Sequence, residues 1–142
     1  MPIASPHDLS RFLDLDAGRR RLIVEAVLTL TATSLAVTFL PFRNAIRFGS
    51  VELGKVGASA RDVAWAVEAA ARRLPWRIVC LQKGLAAQRM VRRNGHEAHL
   101  HYGLRKAEAE GELQAHVWVT VDGQPFIGGA EAGDFAPVAV YS

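Results

Sequence analysis

The sequence has a single cysteine, Cys80, in 142 residues. No disulfide can close within the chain, so the redox compartment is unconstrained. A lone thiol is either a small buried hydrophobe or a reactive group. Excess charge of one sign is also missing. Seventeen Lys and Arg against fourteen Asp and Glu leave +3, too little to argue for nucleic acid. No repeat or low-complexity tract is present. Half the residues are hydrophobic and 22% are charged, which excludes general disorder. The length suits one domain, residues 1–142, with a sizeable core. The opening residues, Met1 to Asp8, lack a basic stretch followed by an apolar run. No secretory signal is expected, and the expected compartment is the cytoplasm.

Long apolar runs are few. The one that needs a membrane test is Ala26 to Phe42, which carries no charge. It sits at the lower limit of about 17 residues for a spanning helix. Glu25 abuts it, Pro41 interrupts its end, and Thr and Ser interleave its apolar residues. A buried or partner-facing helix is expected, with no membrane span.

The rest of the chain divides by period. Residues 1–74 read as helical and residues 96–141 as strands. Asp8 is a candidate cap for a first helix. The Arg19-Arg20-Arg21 run leads into a helix from about Leu22 to Phe39. Pro41 opens a short one, Phe42 to Phe48. Ser59 caps a helix whose Val63, Ala64, Val67, Ala70 and Ala71 share one face, and Leu74-Pro75 stops it. A further helix runs from Val79 or Cys80 to Arg93, with Asn94-Gly95 as its stop.

After Gly95 the period becomes two. Ala98, Leu100, Tyr102 and Leu104 alternate with His99, His101, Gly103 and Arg105. Lys106 to Glu112 is a polar loop. Leu113, Ala115, Val117, Val119 and Val121 make one aliphatic face. Gln114, His116, Trp118 and Thr120 make a mixed one. Asp122-Gly123 turns a hairpin into Gln124–Ile127. Pro137 to Tyr141 adds a last strand. The fold class is α+β, helices first and then an antiparallel sheet.

Cys80 falls at the expected N-terminus of a helix. First-turn amides and the helix dipole favour negative charge there, and the thiolate is the nucleophile. The same amides can hold an oxyanion, so the position suits acyl transfer. Gly84 and Ala87 below it let a sheet approach closely. A base on that sheet would then reach the sulfur. His116, on the mixed strand face, is the candidate base and acid. A satisfied core thiol and a plain strand histidine are the alternatives. His96, His99 and His101 invite a metal reading, but no Cys or HExxH motif joins them, and no metal or cofactor is expected. Arg72-Arg73, Arg92-Arg93 and Arg105-Lys106 read as solvated helix ends, or alternatively as a surface that attracts an acidic peptide or partner. Trp65 and Trp76 read as packing groups, and Trp118 as a wall beside His116.

The order of these motifs resembles a known family. The run Arg73–Leu81 (RLPWRIVCL), the helix end Arg92–Gly95, the strand Ala115–Val119 (AHVWV), the Asp122-Gly123 turn and Gly128-Gly129 resemble the lasso peptide biosynthesis B2 proteins. These are transglutaminase-like cysteine proteases that act as leader peptidases. The resemblance covers about Ser59 to Tyr141, and the apolar helices before it also fit stand-alone members. It implies a papain-related protease core over 59–142. Residues 1–58 would then be a helical part for partner docking. It implies hydrolysis of a ribosomally made precursor after its leader, with Cys80 as nucleophile and His116 as base and acid. The implied partners are the precursor and a leader-recognition B1 protein. The lasso cyclase is a further candidate partner.

One departure stands out. The family's third triad member is typically an aspartate on the next strand, and Gly128 occupies that position here. Asp122 lies about six strand residues from His116, roughly 20 Å along a regular hairpin. Glu131 and Asp134 lie past the Gly-Gly break and are candidates if the chain folds back. A backbone carbonyl or Gln114 can also orient the ring. Two other readings stay open: a non-catalytic interaction protein of the same pathway, and an amide-forming acyltransferase.

Overall fold

The structure is a computed structural model that describes residues 6–106 and 111–142. Helix α1 spans Pro6–Leu13 and α2 spans Ala17–Phe39. Asp8 was expected to cap α1, but the helix starts at Pro6, which suits a first-turn proline. α2 likewise starts earlier than its apolar pattern suggests. Asp16 caps it, accepting from the Arg19 amide at 2.8 Å, so the three arginines lie inside the first turns. Four-residue α3, Phe42–Ala45, continues as a 3-10 turn, Ile46–Gly49. Helix α4 is Ala60–Arg73, capped by Ser59, which accepts from Asp62 N at 3.1 Å. Helix α5 is Cys80–Arg93.

Strands β1 (Ala98–Lys106), β2 (Leu113–Val121), β3 (Gln124–Ile127) and β4 (Ala136–Tyr141) form one antiparallel sheet, ordered β3-β2-β1-β4. A 3-10 segment, Gly129–Asp134, joins β3 to β4. The expected α+β layout is therefore what the chain adopts. Residues 107–110 of the expected polar loop lie outside the described residues.

α5 is the middle layer. One side packs under the sheet and the other against α2 and α4. Leu22, Ala26 and Leu30 of α2 join Val63 and Val67 of α4, Leu85 and Met90 of α5, and Leu100 and Val119 of the sheet in one core. Gly84 sets the approach of sheet and helix. A Cβ there would sit 2.9 Å from both Leu100 Cδ1 and Val117 Cγ1. Gly84→Leu would force α5 off the sheet. An overpacking cost of about 1–3 kcal/mol is expected, read as a lower urea midpoint.

α2 is long and apolar enough, by length and composition, to cross a membrane. In this fold one face of it is core. Two of its buried hydroxyls are hydrogen-bonded within the protein. Thr33 Oγ1 donates to the Thr29 carbonyl at 2.7 Å, and Ser34 Oγ accepts from Trp76 Nε1 at 3.0 Å. The opposite face leaves Val24, Leu28, Leu35 and Phe39 exposed.

Candidate functional site

Cys80 is the first residue of α5 and is exposed. Val79 precedes the helix in extended conformation, and its amide donates to Gln82 Oε1 at 3.0 Å. That is half of a capping box, because valine has no side-chain acceptor to return the bond. First-turn amides have no acceptor within the helix. The N–H groups of Cys80 and Leu81 thus sit where a developing oxyanion beside the sulfur would meet them.

Packing fixes how high along the sheet this end lies. Gln88 is fully buried, and its Nε2 donates to the Tyr141 carbonyl at 2.9 Å, with the Ala98 carbonyl at 3.4 Å. One turn earlier, Gly84 lies over Leu100, Val117 and Val119. Cys80 is one more turn along, about 6 Å.

The face is another matter. The mixed face was expected to meet the thiol-bearing helix. Instead α5 packs on the aliphatic face, Val117 and Val119 with Leu100. This is what apolar burial requires, since a helix must cover the larger apolar area. Alternation then turns His116, Trp118 and Thr120 to the outer face. There, an aromatic column forms. His101 stacks on Trp118 at 5.4 Å between centroids, Trp118 on His116 at 6.0 Å, and His116 on Phe135 at 5.0 Å. Among the described residues no hydrogen bond joins Cys80 to His116.

The His116 ring is nevertheless oriented. Its Nε2 lies 2.8 Å from the Gly128 carbonyl oxygen. A carbonyl only accepts, so Nε2 carries the proton and Nδ1 of the neutral ring keeps its lone pair. Gly128 has φ +73°, and a Cβ there would meet the Val117 carbonyl at 2.9 Å. Only glycine suits that combination. The position that lacks the family's carboxylate thus supplies a backbone oxygen.

Neither Asp122 nor Asp134 takes this role. Asp122 sits in the hairpin turn with its amide bonded to the Glu97 carbonyl. Asp134 is exposed, 3.9 Å from Arg105. Gln114 accepts from Arg105 Nε at 2.8 Å. The side chain of Glu131 lies outside the described residues. The other histidines also go separate ways. His96 Nε2 meets the Ala58 carbonyl at 3.1 Å, and His99 Nδ1 meets Ser142 Oγ at 3.0 Å. No group of three or more His, Cys, Asp or Glu converges among the described residues.

His101 Nε2 bonds Thr120 Oγ1 at 2.8 Å. Burial, and then the like charge of His99, lowers the pKa of His101 below its ordinary 6.5. The unfolded chain therefore takes up this proton more readily than the folded one. The stabilisation is present above pH 6.5 and is lost as pH falls below it. Urea midpoints should drop between pH 7 and pH 5, and His101→Gln should flatten that part of the drop.

The family model of the transglutaminase-like superfamily matches residues 26–140. No curated protein and no solved structure matches the chain significantly. The chain belongs to the transglutaminase-like superfamily, which includes cysteine proteases. The match begins within α2, well before Ser59, in keeping with the burial of α2 in the common core.

Proposed function

We propose that the chain is a cysteine peptidase that removes the leader from a ribosomally made lasso peptide precursor. Carrying this reading is the exposed lone thiol at the start of α5, in a chain that also holds an imidazole fixed through Nε2 by the Gly128 carbonyl. Superfamily membership supports thiol chemistry, and the substrate class rests on the order of motifs from Arg73 to Gly129.

His116 takes the thiol proton on Nδ1, and Sγ of Cys80 attacks the scissile carbonyl carbon. The amides of Cys80 and Leu81 hold the oxyanion. His116 returns the proton to the departing amine, leaving a thioester. Water, deprotonated by His116, then breaks the C–S bond and frees the leader acid. The sequence of steps requires Sγ of Cys80 and Nδ1 of His116 to come within reach of each other while Nε2 keeps its bond to the Gly128 carbonyl. The proposed partners are the precursor, a leader-recognition protein and the cyclase that closes the ring, all in the cytoplasm.

A second reading is a non-catalytic interaction protein. The outer-face position of His116 favours it. Incubating the protein with precursor and recognition protein from neighbouring genes separates the two. A leader fragment with a free carboxylate, found by mass spectrometry, supports the peptidase. A leader amide to an added amine marks an acyltransferase. Intact precursor throughout supports the interaction protein.

A further inference from the structure

One groove lies away from Cys80. It has a volume of about 600 Å3 and runs between α1, α2 and α4. Phe12, Val24, Leu28, Trp65 and Leu74 are among its walls. Leu28 is 66% exposed and Val24 49%, so the described residues leave this surface uncovered. Arg11 and Arg72 also line the groove, and among the described residues no acidic one does.

We propose that this groove docks an amphipathic helix of a partner protein, with its apolar face inward and acidic residues against Arg11 and Arg72. Several features narrow the occupant to that class. The walls are helices, so no strand edge offers backbone pairing to an extended peptide, whereas a helix satisfies its own backbone. A concave surface suits a helix better than a bilayer, which would have to bulge into it. A second copy of the chain would bring the two arginine sets face to face. Apolar anchors flanked by acids match both the lining and its charge.

The groove also bears on the peptidase reading, on which this one point rests. It ends at Leu74 and Pro75. Pro75 is five residues before Cys80, at most about 18 Å of chain. A helix seated there would present whatever it carries close to the thiol.

The test uses a fluorescent 18-residue designed peptide (size set by about five helical turns) with leucines on one face and glutamates flanking them. A second peptide has lysine in place of glutamate. Full-length protein and its Cys80→Ala variant should both bind the acidic peptide, weakening with salt. The lysine peptide should bind at least about tenfold more weakly. Leu28→Glu, at an exposed position, should reduce binding about tenfold or more, and Arg72→Glu several-fold. Equal binding of both peptides, no loss in either variant, or no binding while anionic phosphatidylglycerol vesicles pull the protein down would overturn the proposal. Because the Cys80→Ala protein is included, failure here is distinguishable from failure of the peptidase reading.

Discussion

Replacing Cys80 by alanine should leave the protein folded and lower the rate of leader release by at least about a thousandfold. The expected stability change is small, within about 0.5 kcal/mol. Cys80 is exposed and is not among the buried core residues described. The catalytic loss is large because every step after binding passes through the sulfur. Serine should not rescue the rate, since a hydroxyl at a helix N-terminus lacks a thiol's acidity. Mass spectrometry of the leader fragment over time, alongside thermal melts, reads both quantities. Unaltered leader release by Cys80→Ala would remove the thiol from the chemistry.

The second large effect concerns His116 and the oxygen that holds it. His116→Ala should lower kcat about 100- to 10,000-fold with KM little changed, the loss expected when a general base and acid is removed. Gly128→Ala acts through the same ring. Its added methyl meets the Val117 carbonyl at 2.9 Å in a backbone of φ +73°. The strain of about 1–3 kcal/mol would shift the carbonyl away from Nε2. A fall of about tenfold in kcat is expected, again with KM nearly constant. The double variant should be no slower than His116→Ala alone, because both act through one group. Additive losses in the double variant would assign Gly128 a purely structural role.

Much of this fold can be read from residue spacing. Ser59 announces α4, and the alternation from Ala98 to Val121 announces two strands whose register the Asp122-Gly123 turn then sets. The start of α2 was less legible. Arg19 to Arg21 look like a flank, since cations oppose the dipole at an N-terminus, yet the Asp16 cap and the buried Leu22 hold them in the helix. At the site, the position of Cys80 followed from its neighbours. The side of the sheet taken by α5 also lay in the sequence. Val117, Val119 and Val121 form the face a helix needs, so His116 had to fall on the other. The Gly128 carbonyl was out of reach except as one option among several. Its placement rests on a positive φ and on the register shift between Val119 and Thr120, both set by tertiary packing. The groove needs α1, α2 and α4 to meet, which no local pattern specifies.

Because the chain has one cysteine, alkylation of the folded protein reports on Cys80 alone. The rate of iodoacetamide labelling near neutral pH, followed by intact mass in the wild type and in His116→Ala, asks directly whether imidazole and thiol work as a pair. Labelling faster than that of an unstructured cysteine peptide, and slowed when His116 is removed, is the expected result. Equal rates for both proteins, no faster than the peptide, would contradict the pairing on which the peptidase reading stands.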